Sequence, residues 1–292
     1  MQVEVTAYAK VNLLLDVLYR RDDGYHEVEM VMQTIGLSDQ VLLEPARQYA
    51  LYTDNELIPH DQTNLAFKAA LIMSERFQTP PVAVTLDKRI PVAAGLAGGS
   101  TDAAAVLLGM NALYDLRLSS AQLMALAAEV GSDVPFCLSG PTALATGRGE
   151  KLKPLPECPK LWLVLVKPPF GVSTPSVYQH LDFAQLSQHP DLKAYLKALE
   201  RQDVQTLLKT MSNVLEQSTF KLHPQVAEVK RQMQSLGGTY TLMSGSGPTV
   251  FSAFSQEEEA SAFYHRCQQH FEQVYWTETV TSEQLVERVI LR

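Results

Sequence analysis

The chain opens with the alternation of a β-strand. Residues 3–8 place apolar side chains at every second position, and 11–18 continue as a nearly unbroken apolar run, so two strand-like segments flank Lys10. A turn at 20–24 follows. Val28, Met30, Met32 and Thr34 then alternate with Glu27, Glu29, Val31 and Gln33, a strand that opens at Tyr25-His26. Residues 39–53 predict a further antiparallel pair, and 54–62 a polar loop. The period changes between Asn64 and Phe77, where Leu65, Ala69, Ile72 and Met73 share one helical face. A strand at 82–86 leads into the glycine-rich stretch 91–102. Beyond it Ala103, Val106, Leu107, Met110 and Leu113 form one face of a buried helix, with Ser100, Thr101 or Asp102 as its cap.

Ser119 with Gln122 predicts a capping box for the next helix, which stops at Gly131. A strand at 142–146 and a turn at 147–150 follow. The three prolines within 154–159 break both periods and predict a boundary between domains at 1–155 and 156–292. The second half predicts a buried strand at 161–166 and helices near 191–201, 203–212 and 224–235. A strand–turn–strand follows over 239–254, then a helix capped by Ser255 with Glu258 and a strand near 273–279. Helices and strands mix without strict alternation, which predicts an α+β fold with antiparallel sheets.

Charge narrows the range of functions. At −8 over 292 residues the chain is a poor partner for nucleic acid or an anionic membrane, although a local basic pocket is still compatible with it. The longest apolar run outside the alanine-rich helix, 161–166, is far short of a membrane span, and no leader pattern follows Met1. Cys137, Cys158 and Cys267 are widely spaced and lack metal-site spacing. The expectation is a bacterial cytoplasmic protein with buried or incidental thiols and no metal-ligand set of its own.

The glycine-rich stretch carries the strongest chemical signal. Gly95, Gly98 and Gly99 permit close backbone approach, and a glycine-rich loop feeding a helix N-terminus offers free amides and the positive end of the helix dipole to an anion. No lysine precedes Ser100, and the spacing is not that of a dinucleotide fingerprint, so neither common phosphate motif applies. Taken singly, the other candidates have ordinary explanations. Lys10 reads as a strand gatekeeper, His26 as a structural histidine and Asp133, before Pro135, as a turn former.

Taken together, residues 7–13, 91–105 and 242–249, in that order, resemble the GHMP kinase superfamily, whose members transfer a phosphoryl group from ATP to small alcohols or phosphates. The likeness covers nearly the whole chain. Residues 9–13, 23–26, 131–136 and 173–175 with Tyr178 are similar to the branch whose substrate is a small alcohol carried on cytidine diphosphate. The resemblance implies two lobes, an N-terminal one like ribosomal protein S5 domain 2 and a C-terminal ferredoxin-like one, with ATP, Mg²⁺ and the small molecule in the cleft. It implies Lys10 and Asp133 as the catalytic pair. Pro91, Ala93, Gly95, Leu96, Ala97, Gly98, Gly99, Ser100 and Thr101 would form the ATP stretch, with Ser100 or Thr101 near Mg²⁺. Asn64 and Lys88 would flank the adenosine. Tyr25, His26 and Tyr178 would hold cytosine, Asn12 would position the substrate, and Gly245, Ser246 and Gly247 would form a second glycine loop. Two positions depart from the family pattern: Ala97 stands where glycine is frequent, and Asp102, where asparagine is frequent, adds a negative charge near the phosphates.

Such chemistry asks for positioned oxygens and charge stabilisation more than covalent help. Asp133 fits both proton acceptance and an electrostatic, orienting role. Two other readings compete: a GHMP kinase acting on homoserine or mevalonate, which leaves Tyr25, His26 and Tyr178 unexplained, and a regulatory nucleotide-binding protein, which leaves Lys10 with Asp133 unexplained.

Overall fold

Two long strands form the spine of the molecule. In the computed structural model, which describes residues 2–186 and 189–292 and so leaves Met1 outside, the two runs around Lys10 are one strand, β1 (Val3–Arg20). It pairs antiparallel with β2 (His26–Pro45) from Val3↔Leu43 to Arg20↔His26. Strands of this length bend, and the register shifts between Tyr8 and Lys10, Asn12 and Leu14, and Val17 and Tyr19. Such bulges re-aim side chains and strengthen twist. The first two bracket Lys10 and Asn12.

The expected antiparallel pair over 39–53 does not form. Residues 39–45 complete β2, and β3 (Ala50–Thr53) lies parallel to β4 (Val82–Asp87). The helix α1 (Leu65–Phe77) lies between them in sequence, and a parallel pair requires such a crossover. The helix α2 (Gly98–Leu113) also differs from expectation. It begins inside the glycine stretch with Ala97 at the cap position, and no side chain caps it. The α3 helix (Ser120–Val130) carries the expected Ser119–Gln122 capping box, and a short α4 (Val134–Ser139) follows. Apolar side chains of β1, β2 and β4, among them Val5, Leu43 and Leu86, pack on Met73, Val106 and Met110 of α1 and α2.

β5 (Thr142–Thr146) pairs with the middle of β2, and β6 (Lys151–Pro154) pairs with β5. The proline-rich segment therefore begins as an edge strand, where Pro154 costs no ladder bond. The second half builds on β7 (Trp162–Val166), followed by α5 (Thr174–Gln179), α6 (Leu192–Glu200) and α7 (Val204–Thr210). Next come β8 (Ser212–Asn213), α8 (Glu216–Leu222), α9 (Pro224–Ser235), β9 (Thr241–Met243) and β10 (Val250–Phe254). The chain ends with α10 (Glu257–Gln268), β11 (Val274–Glu278), α11 (Ser282–Val286) and β12 (Val289–Leu291). The second sheet is antiparallel in the order β11-β7-β10-β9. Contrary to the expected Ser255–Glu258 cap, α10 starts after Gln256 without a side-chain cap. Three glutamates in its first turn meet the helix dipole instead.

The fold is α+β, in two sheets that share a core. Ala9, Val11, Leu13 and Ile35 of the first sheet pack with Leu163, Leu165 and Phe251 of the second. β8 and β12 return from the second half to pair with β1. Among the described residues no helix is long and apolar enough to cross a membrane.

Candidate active site

The two glycine turns meet beside the bulge in β1. Gly95, at φ +75°, lies so close to the carbonyl of Ser244 that a Cβ would collide with it. The Ser244 hydroxyl donates to the Gly95 carbonyl (3.0 Å). Asn213, buried on β8, donates its amide to the carbonyls of Met243 and Gly245, 2.8 Å each, and so braces the second turn from behind. The first loop is also tied to β1. The Lys10 amide donates to the Leu96 carbonyl (3.2 Å), and the Thr101 hydroxyl donates to the Tyr8 carbonyl (2.6 Å).

A cavity of about 900 Å³ opens over this junction. It is bordered by Lys10, Asn12, Asp133, Gly245 and Ser246 in one group, and by Pro91, Ala93, Gly95, Ala97, Gly98, Gly99 and Ser100 in a second. Asn64 and Lys88 border it too, as do Tyr25, His26 and Tyr178. Leu96 and Thr101 do not. Leu96 is buried in the shared core, and the Thr101 hydroxyl is committed to β1, which leaves Ser100 as the hydroxyl on the cavity side. The first backbone bond of α2 runs from Thr101 to Ala97, so the amides of Gly98, Gly99 and Ser100 have no intrahelical partner.

Lys10 is nearly closed off from solvent, and its ammonium donates to Asn12 Oδ1 (2.7 Å) and the Gly95 carbonyl (3.4 Å). Asp133 Oδ2 stands 4.0 Å away. Asp133 precedes α4 without capping it, so its partly exposed carboxylate is free to face the cavity. Asn12 is fully buried between Lys10 and the Met30 sulfur (3.5 Å), so its immediate task is to hold the lysine. Ser246 shares a hydroxyl contact with Thr174 (2.8 Å), which joins the second glycine turn to α5.

The two residues expected beside adenosine have structural tasks as well. Asn64 caps α1 through the Ala66 amide (2.8 Å) and donates to the Pro59 carbonyl (2.9 Å). Lys88 is buried between Asp39 and Asp102, whose Oδ2 lies at 2.5 Å. Asp39 also accepts from the amides of Arg89 (2.6 Å) and Ile90 (2.8 Å). Burial pushes the Asp102 carboxyl up to about 7, with the Asp39 charge adding and Lys88 opposing. Among the described residues Asp102 Oδ1 has no hydrogen-bond partner. The charge that Asp102 adds at the start of α2 is thus largely answered by Lys88, and the pair ties the approach to the loop to the first turn of that helix. Asp39 was not singled out from the sequence, yet it shares strand parity with the buried Val41 and Leu43, a legible sign of an inward carboxylate.

At the aromatic group, the His26 ring lies 5.2 Å from Tyr178 and 5.9 Å from Phe183, nearly parallel to the latter. Phe183 carries no motif and was missed. Burial, with the Arg20 charge adding, holds the His26 imidazole below the ordinary histidine value, so the ring is neutral at pH 7. Burial pushes the Tyr178 phenol up, and the Asp133 charge adds to it, which places that ring within electrostatic reach of the catalytic candidate. Burial likewise raises the thiols of Cys137 and Cys158 to about 12, which leaves them unreactive.

An uncapped glycine-loop helix set against a lysine–aspartate pair between two sheets defines a small-molecule kinase of the GHMP type. The chain matches the family models of the GHMP kinases N terminal domain over residues 64–141 and the GHMP kinases C terminal domain over 195–273. It is 48% identical over 278 residues to a 4-diphosphocytidyl-2-C-methyl-D-erythritol kinase of Bacillus velezensis, spanning 94% of this chain and 96% of the relative. It is 46% identical to the enzyme of that name from Listeria monocytogenes, spanning 95% and 98%. A crystal structure of a 4-(cytidine 5'-diphospho)-2C-methyl-D-erythritol kinase superposes with a TM-score of 0.81 at 36% identity, over 96% of this chain and all of that one. The chain belongs to the 4-diphosphocytidyl-2-C-methyl-D-erythritol kinase family, and as a GHMP kinase it is an ATP-dependent phosphotransferase acting on a small molecule.

Proposed function

We propose that the chain transfers the γ-phosphoryl group of ATP to the 2-hydroxyl of 4-diphosphocytidyl-2-C-methyl-D-erythritol, giving the 2-phosphate and ADP. The reaction belongs to the non-mevalonate route to isoprenoid precursors, in the cytoplasm of a bacterium. The lobes divide near 155/156, with β8 and β12 returning across that line. The observation that carries the reading is the approach of Lys10 to Asp133 beside three unpaired amides, in one cavity with His26 and Tyr25.

The amides of Gly98, Gly99 and Ser100 receive the ATP phosphates at the positive end of α2. Asp133 orients the acceptor hydroxyl and takes its proton as the bond to phosphorus forms. Lys10, held by Asn12 and the Gly95 carbonyl, stabilises the negative charge on the moving group. Ser100, the loop hydroxyl on the cavity side, would hold the Mg²⁺ carried on the nucleotide phosphates, and the ion when bound would spread the phosphate charge. Tyr25 and Tyr178 supply aromatic faces for cytosine, Phe183 backs the His26 ring, and the neutral His26 offers one donor and one acceptor to the base edge.

The Asp133→Asn variant tests the assignment. Turnover falls roughly 10²- to 10⁴-fold, the span of a lost general base, while ATP affinity measured by calorimetry stays within about twofold. Turnover near that of the wild type overturns it.

A further inference from the structure

Tyr25 borders the cavity, but its ring has little support from its own hairpin. Its amide donates to Asp23 Oδ1 (3.1 Å) and its carbonyl accepts from the Arg21 amide (2.8 Å), which fix the backbone, while the residue is 57% exposed. Support comes from another part of the chain. The Arg148 guanidinium carbon lies 4.9 Å from the centre of the Tyr25 ring.

Arg148 stands on the turn between β5 and β6, and that turn is anchored to β2 beside Tyr25. The Gly147 amide donates to Glu27 Oε1 (3.0 Å), and the Gly147 carbonyl accepts from the Val28 amide (2.9 Å). Glu150 accepts from the Arg148 amide at 2.6 Å, but its carboxylate is 4.0 Å from the guanidinium Nε, too far for a hydrogen bond. The guanidinium thus has the aromatic face as its close neighbour, while Arg148 and Glu150 both border the cavity.

We propose that Arg148 is a positioning residue that clamps one face of the Tyr25 ring and so presents the other face to the pyrimidine of the substrate. A cation over an aromatic face is attracted by the ring quadrupole. A ring fixed before binding loses less freedom when the base stacks on it. The inference rests on the reading of the cavity as the site of a cytidine-linked alcohol. It adds a specificity element contributed by the β5–β6 turn, away from both glycine loops.

The test is steady-state kinetics with 4-diphosphocytidyl-2-C-methyl-D-erythritol and ATP for the wild type, Arg148→Ala, Arg148→Met, Arg148→Lys, Tyr25→Ala and the Tyr25→Ala/Arg148→Ala double variant. Arg148→Ala and Arg148→Met raise the KM for the cytidine substrate about two- to fivefold, the span of an exposed cation–π contact. They leave kcat and the KM for ATP within about twofold. Arg148→Lys recovers part of the loss, and Arg148→Ala adds nothing once Tyr25 is alanine. A wild-type KM in Arg148→Met overturns the proposal, as does an equal rise in the KM for ATP, which marks a merely structural effect. The same penalty with and without Tyr25 also overturns it and assigns the guanidinium to the substrate diphosphate. A wild-type protein that does not turn over this substrate overturns the underlying reading, and the clamp falls with it.

Discussion

Lys10 is almost buried, yet its close neighbours are neutral oxygens, from Asn12 and Gly95, and its nearest carboxylate is 4.0 Å away. A cation held in this way keeps its charge for an incoming anion. Lys88 does the opposite, with two carboxylates against it, and serves as a tie. The sequence presents Lys10 in apolar surroundings and Lys88 between Asp87 and Arg89, and only their neighbours in the fold show which is free and which is tied. His26 carries a prediction at this scale. Burial lowers its pKa below 6.5, so the imidazole stays neutral until the solution is more acidic than that. The KM for the cytidine substrate is therefore expected to be flat from about pH 8 to about pH 6.5 and to rise below, as protonation removes the ring's acceptor. A rise beginning above about pH 7 contradicts a neutral His26.

The glycine loop and α2 act as one element, and two substitutions within it have opposite signs. Gly95→Ala forces a Cβ at φ +75° into the Ser244 carbonyl, so the two glycine turns must part. Ala97 already holds φ +59°, a left-handed conformation that costs an L-residue about 1–2 kcal/mol and glycine far less. Urea unfolding should show Gly95→Ala destabilised by at least about 2 kcal/mol, and Ala97→Gly unchanged or more stable by up to about 1 kcal/mol. Reversed signs contradict the loop geometry. The loop was legible because glycine spacing and helical period are local. The helix start was not, since Thr101 and Asp102, natural caps by composition, are drawn away by Tyr8 of β1 and by Lys88 just beyond β4. The direction of β3 was hidden for a similar reason: a short strand pairs as its crossover helix dictates.

Across the whole molecule, the α+β class and most longer elements follow from periodicity, while the order of strands depends on the shared core. Leu13 on one sheet and Leu165 on the other are simply apolar in the sequence; their packing brings β1 and its lysine against the second glycine turn. Lys10, Asp133 and the two glycine loops were legible as motifs. Phe183 and Arg148 were not, because each acts through one ring brought near only by folding. The account's central claim is the transfer of phosphate from ATP to a cytidine-linked alcohol in this cavity. The most direct measurement is ADP release by the purified protein with ATP, Mg²⁺ and 4-diphosphocytidyl-2-C-methyl-D-erythritol, beside homoserine and mevalonate. The account predicts release with the cytidine substrate alone; release only with homoserine or mevalonate, or with none of the three, contradicts it.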